Sequence, residues 1–373
     1  MRLLVVILGL AGVFFIFTKE AAADEIMPDN PAYYDYSDID NALKGVDNFN
    51  FGDTVNKIYE NSDDGMLTNL GNRLIEAVTG EISAQKNVLL HILLIGVAAA
   101  IVAGIARAFF SGTTSEISFY MVLMVLICAL TAGYKISATL VKETLNTLIN
   151  LMNAIVPTYV VSLGYAVGSN SAMGFYEMIA IVIALVEKLM RDFILPLVYV
   201  FTLTNFVNCL SEENLLNKTC DLIKTIINWV LKALMSLIIG INVIRGMLNP
   251  VMDSIKATSF GKVASMLPGV GAVISSVSDI VLGCGTLIKN SIGIAATIAI
   301  MVMCLIPVVK LLISAIGYKL VGALLEPVSD KRIVNAVNGI YESSVILAKI
   351  LMYSIAFFLI TIAVVCCTTN IHT

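Results

Sequence analysis

Runs of roughly 20 apolar residues decide what this chain can be, because a helix of that length crosses the hydrocarbon core of a bilayer. They recur at 88–106, 117–134, 291–309 and 345–367. Composition agrees: 58% of the residues are hydrophobic and 13% charged, whereas a soluble domain carries about a quarter charged residues. The fold class that follows is all-α, a polytopic integral membrane protein with six to eight membrane-embedded helices and a short extracytoplasmic N-terminal segment.

Residues 1–23 stand apart. Arg2 supplies a positive start, Leu3 to Phe17 an apolar core, and Ala21, Ala22 and Ala23 a small-residue cleavage site. That pattern is a secretory signal peptide; an uncleaved anchor is the alternative, kept open by Lys19 and Glu20. Residues 24–87 then hold 13 Asp/Glu against 4 Lys/Arg, and residues 88–373 hold 13 against 17. An acidic segment behind an export signal, with the basic excess among the spans, fits the preference of positive loops for the cytoplasm. Three regions follow: a signal peptide at 1–23, an acidic extracytoplasmic segment at 24–87, and a multispanning domain at 88–373. No run of bases suggests nucleic-acid binding.

Within the acidic segment, 24–48 reads as irregular, with Pro28, Pro31 and a tyrosine cluster broken by acids. From Met66 the spacing of Leu67, Leu70, Leu74, Val78 and Ile82 predicts an amphipathic helix too polar to span, lying on the membrane or against a partner. Spans are expected at 88–109 and 117–137, with a less regular apolar stretch at 144–167. Residues 174–210 form two apolar pieces, and 221–248 a helix whose polar face carries Asn228, Lys232, Ser236 and Asn242. After a glycine-rich region at 250–290 come spans at 291–316 and 345–367.

Catalytic motifs are missing. The two histidines, His91 and His372, form no H-E-x-x-H, and there is no G-x-S-x-G. Nothing calls for a metal or a cofactor. The cysteines form no C-x-x-C pair and none falls in the exported acidic segment, so they read as small buried hydrophobes. The chain is therefore expected not to be an enzyme.

The stretch SMLPGVGAVISSVSD at 265–279 has the look of a phosphate loop but lacks a Gly-Lys-Ser/Thr ending and a third glycine at Ile274. Steps of three and four explain it better. Pro268, Ala272, Ser276, Asp279, Gly283, Thr286, Asn290 and Gly293 fall on one stripe of small or polar residues, opposite Val270, Ile274, Val277 and Val281. Such a seam either packs closely against another helix or lines a polar cavity, with Asp279 as its charged element.

Glu187, Lys188, Arg191 and Asp192 form a second charged feature. Glu187 with Arg191 and Lys188 with Asp192 are spaced to pair along a helix, and four charges in six residues point to a turn at the membrane surface, with a buried network as the other reading. Pro196 distorts a continuous helix there. Lys310, late in a span, is placed to snorkel outward.

Asn249-Pro250, Lys262, LPGVGAVISSVSDIVLG at 267–283 and LIKNSIGI at 287–294 resemble the stage III sporulation protein AE family of endospore formers. The order of signal peptide, short exported segment, spans, Pro-Gly region and hydrophobic end is similar throughout. The resemblance implies a subunit of a secretion-like channel complex between mother cell and forespore, in the mother-cell membrane around the forespore. Its implied partners are membrane lipid, other stage III channel proteins including a cytoplasmic secretion-type ATPase and intermembrane ring proteins, and further copies of itself in a homo-oligomer. It implies a need for the protein in forespore gene expression after engulfment and supplies no catalytic residue. An autonomous secondary transporter, with the breaks at 187–192 and 268–271 as paired discontinuities, and a non-conducting membrane scaffold are the alternatives.

Overall fold

The structure, a computed structural model, describes residues 36–43, 50–59, 66–109, 113–167, 170–211, 215–264 and 271–368. Described residues are almost entirely helical, with no strand among them. Two short helices, α1 (Ser37–Ala42) and α2 (Phe51–Tyr59), precede seven long ones: α3 (Met66–Phe109), α4 (Thr113–Val167), α5 (Asn170–Leu189), α6 (Leu195–Leu210), α7 (Asn217–Ala264), α8 (Gly271–Leu325) and α9 (Lys331–Thr368). Among the described residues six stretches are long and apolar enough to cross a membrane: Thr79–Val102, Glu116–Ile155, Ile181–Leu210, Asn217–Ile241, Ser291–Leu325 and Lys331–Ile362. The protein is thus an all-α polytopic membrane protein.

Side-chain pairings fix how the helices run. Along α3 and α8, Glu81, Leu89 and Gly96 meet Lys310, Gly317 and Leu325 in rising order, so the two are parallel. Tyr199 and Arg191 meet Tyr134 and Asn146 of α4 in falling order, and Thr202 and Glu187 meet Ser343 and Ser354 of α9 likewise. Lys224 and Asn228 of α7 meet Glu342 and Lys349 of α9 in rising order. Helices α3, α5–α6 and α8 therefore run one way and α4, α7 and α9 the other, an up-and-down bundle.

α8 and α9 form its middle. Residues 291–300 of α8 are all buried, and α9 presents Ile346, Leu347, Ile350, Leu351, Phe357 and Phe358 to its neighbours. The outer helices keep Leu94, Met121, Ile136, Ile181, Val207 and Trp229 exposed, apolar side chains that belong against lipid tails. Connections are held locally. Asn208 Oδ1 accepts the Leu216 N–H at 2.8 Å between α6 and α7, and Asp330 Oδ1 accepts the Arg332 N–H at 3.0 Å at the start of α9. The latter satisfies one of the donors a helix start leaves open.

Three expectations from sequence are revised. Residues 117–137 and 144–167 are one helix, because Ser137, Val141, Thr144, Leu145 and Leu148 continue the buried stripe of α4 across the supposed gap. Ser137 and Thr144 are masked as polar breaks there by bonding the carbonyls of Gly133 and Leu140, four residues back. The amphipathic stretch from Met66 is no separate helix; it runs unbroken into the first span as α3. And the segment read as irregular contains α1, whose Tyr36, Ile39 and Leu43 are buried with Phe51 and Val55 of α2. Asp40 Oδ1 accepts the Phe51 N–H at 2.6 Å and ties the two together. α1 packs on α4 and α2 on α8.

Candidate functional site

Several charged side chains of the bundle gather within one slab. Read along α9, Glu342 takes Lys224 at 2.8 Å, Ser343 takes Thr202 at 2.8 Å, Lys349 reaches Asn228 at 3.2 Å, and Ser354 donates to Glu187 at 2.9 Å. From Glu342 to Ser354 is about 18 Å of helix. Arg191 with Asn146, and Lys310 with Glu81, fall within the same slab, since Lys319 of α8 lies over Tyr341 of α9 and the two helices run antiparallel from there. Ionisable groups clustered between the spans of a bundle face one another, water or a ligand, so this slab is the candidate site.

Glu187 is its innermost member. It sits on the inward stripe of α5, beside Ile183, Val186 and Met190, and is fully buried. Oε2 accepts the hydroxyl of Ser354, which also lies 3.6 Å from the Met190 sulfur, and Oε1 has no hydrogen-bond partner. The buried thiol of Cys304 on α8 lies in the same part of the core as Glu187. A buried polar oxygen without a partner costs about 1–3 kcal/mol, so the packing that holds Glu187 inward is strong.

One turn on, Met190–Ile194 forms a π-turn. Its physical reason is Pro196, near the start of α6, which has no N–H to give and whose ring crowds the carbonyl four residues back. A widened turn relieves both and lets the helix continue. The charged break is thus not a chain reversal: α5, the π-turn and α6 form one continuous helical path. The π-turn also changes partners. Arg191 holds its neighbour Asp192 through Nε at 2.7 Å and a second nitrogen at 3.0 Å, and donates to Asn146 of α4 at 3.0 Å, while Glu187 turns away to Ser354. The i,i+4 pairing of Glu187 with Arg191 is not formed. Lys188 is exposed and acts electrostatically on Asp192, as does Lys142.

The small and polar seam is only partly described. Pro268 lies outside the described residues. Ala272, Ser276, Asp279, Gly283, Thr286 and Asn290 are placed on α8 by its backbone, with side chains outside the description. Gly293 is buried, and its carbonyl accepts the Thr297 hydroxyl at 2.9 Å. The helix expected at 268–290 therefore begins at Gly271 and runs on into the next span without a break.

Several members of the slab escape sequence reasoning. Glu81 is one: it pairs with Lys310 at 3.7 Å across 229 positions of chain, and only the fold brings them together. Glu342, Lys349 and Ser354 are others. A signal existed for Glu187, which occupies a position of the apolar three-four repeat rather than the polar face. Cys209, Cys220 and Cys304 are buried as expected, and Cys128 is exposed. Among the described residues no group of His, Cys, Asp and Glu is arranged to hold a metal ion.

Comparison with known proteins places this arrangement. The family model for stage III sporulation protein AE matches residues 49–369. A curated relative, Stage III sporulation protein AE of Bacillus subtilis (strain 168), is 23% identical over 281 residues, covering 75% of this chain and 70% of the relative. No solved structure matches.

Proposed function

The chain belongs to the stage III sporulation protein AE family, and on that premise we propose that it is a multispanning, non-enzymatic subunit of a secretion-like channel complex linking mother cell and forespore. Its role in sporulation and its membrane helices are the established part. The observation that carries the finer reading is that the family match takes in the entire bundle, from α2 to the end of α9.

In this reading the protein resides in the mother-cell membrane around the forespore, with its acidic N-terminal segment on the extracytoplasmic side, toward the ring proteins between the membranes. A cytoplasmic secretion-type ATPase supplies the energy. Two features support a subunit over a self-sufficient machine. No phosphate-loop motif occurs in the sequence, and the acidic segment ahead of the first span at Thr79 is suited to protein contacts across an aqueous gap.

The test is deletion in an endospore former, with a fluorescent reporter driven by a forespore promoter that acts after engulfment. The reporter is expected to fall silent in the deletion strain and to return on complementation with this chain. A reporter that stays active without the protein overturns the proposal. Solute uptake by the purified protein alone in liposomes would replace it with the transporter reading.

A further inference from the structure

The seam between α7 and α9 carries a cluster of basic side chains that the channel reading does not use. Lys224, Asn228 and Lys232 lie one helical turn apart on α7, so they share a face. Glu342 and Lys349 lie two turns apart on α9 and meet that face. Lys224 Nζ is 2.8 Å from Glu342 Oε1, and Lys349 Nζ donates to Asn228 Oδ1 at 3.2 Å. The Asn228 amide is oriented by its own bond to the Lys224 carbonyl at 2.7 Å. Lys224 and Lys232 both act on the charge of Lys349.

Three ammonium groups therefore outnumber the two nearby carboxylates, Glu342, which Lys224 already engages, and Asp221, one turn before Lys224 on α7. Lys349 hydrogen-bonds a neutral amide oxygen and feels Glu342 only at longer range, and Lys232 is exposed. The cluster is open, because the Lys224 and Glu342 side chains keep 37% and 39% of their surface, and the apolar stretch of α7 is the least buried of the six. Uncompensated positive charge beside an apolar helix surface is stabilised by a compact anion with several acceptor oxygens. An ammonium donates three hydrogen bonds and suits a phosphate as a point charge.

Level with Lys232 and Asn228 stands Trp229, the single tryptophan of the chain and 70% exposed. Tryptophan at the outer surface of a span favours the headgroup layer, where the phosphates of phospholipids lie.

We infer that the α7–α9 cluster, built from Lys224, Asn228, Lys232 and Lys349, is a binding site for a phosphate group, carried by an anionic phospholipid or by a soluble phosphate ester. The site needs no partner subunit and is independent of the channel reading.

Trp229 is its reporter. The full-length protein is reconstituted in phosphatidylcholine vesicles containing a minor share of either brominated phosphatidylglycerol or brominated phosphatidylcholine. If the phosphate is a lipid's, the anionic quencher is enriched at Trp229 about fivefold over the zwitterionic one, the value of one lysine's attraction at an anionic surface. The enrichment disappears in a variant carrying Lys224→Gln, Lys232→Gln and Lys349→Gln, whose quenching by brominated phosphatidylcholine and helical circular dichroism stay unchanged. Glu342→Gln releases Lys224 and increases the enrichment, so the inference stays testable should the triple variant misfold. If the phosphate is soluble, both brominated lipids quench equally, and glycerol phosphate shifts Trp229 emission saturably in the natural protein only. Equal quenching without a glycerol phosphate response overturns the site. So does anionic enrichment that survives the triple variant, or that Glu342→Gln leaves unmoved.

Discussion

Gly96 and Gly104 lie two turns apart on α3 and should respond oppositely to the same change. A Cβ at Gly96 would stand 2.6 and 2.8 Å from the two methyls of Leu325, which is fully buried at the end of α8. Leu325 is enclosed by its neighbours, so the added methyl has to displace that side chain or the helix that carries it. Overpacking of this kind costs about 1–3 kcal/mol. A Cβ at Gly104 meets nothing within 4 Å. There the substitution only removes glycine's excess backbone entropy, a gain of about 0.5–1 kcal/mol within a helix. That gain is common to both sites, so the difference between Gly96→Ala and Gly104→Ala isolates the contact with Leu325: about 1–3 kcal/mol in favour of Gly104→Ala. Unfolding in mixed micelles, followed by loss of helical circular dichroism as SDS is raised, gives both values on one scale. A Gly96→Ala protein as stable as Gly104→Ala would refute the close approach of α3 and α8, and with it the parallel pairing on which the slab's height depends.

Two more outcomes test the slab and the bundle. Ser354→Ala removes the one hydrogen bond to Glu187 and should destabilise by about 1–3 kcal/mol. Adding Glu187→Leu should recover most of that loss, because an apolar pair of similar volume leaves nothing unsatisfied. The Glu187→Leu protein, though folded, should fail to restore forespore reporter activity; full restoration would reduce Glu187 to a packing residue. In a cysteine-free background, Leu215→Cys and Val328→Cys should react with an impermeant maleimide from the same side of the membrane. These exposed positions lie in the connections leaving α6 and α8, and reaction from opposite sides would break the up-and-down order.

Much of the fold is legible in the chain because apolar runs are a local property. The spans near 88–109, 291–316 and 345–367 all lie on observed helices, as does the polar face of 221–248. Helix ends were harder. Apolar runs mark where a helix meets lipid or core, but α4 and α8 continue through polar residues that bond backward to carbonyls, as Ser137 and Thr144 do. The partners of the charged residues are not legible for a different reason. Along one helix, Glu187 and Arg191 look like partners; in three dimensions a π-turn separates them, and a serine 167 positions away takes the carboxylate. Lys310 read as a snorkelling cation because Glu81, its counter-ion, lies in a part of the chain assigned to the exported segment. Local spacing identifies which residues are costly to bury. Only packing decides what offsets that cost.

The long helices leave one physical question that the slab can answer, namely where the bilayer sits. α8 has 55 residues, and its span from Ser291 to Leu325 has 35, about 52 Å of helix against roughly 30 Å of hydrocarbon. Apolar stretches lie on either side of the charged slab: Ile355 to Ala363 of α9 on one, Leu94 to Ile105 of α3 on the other. The slab itself decides between an edge and a midplane placement. Lys188 and Lys232 are exposed on the bundle surface, and an exposed ammonium at the bilayer centre is costly, whereas at the headgroup layer it reaches water along its own stem. Trp229, at the same height, prefers the same layer. The slab should therefore lie at the membrane edge. Phosphatidylcholines brominated at successive acyl positions measure the depth of Trp229 directly. Quenching should be strongest for bromines nearest the headgroup and fall steadily toward the chain ends. The reverse gradient would place the charged slab at the midplane, where Lys188 and Lys232 would have to face a water-filled path.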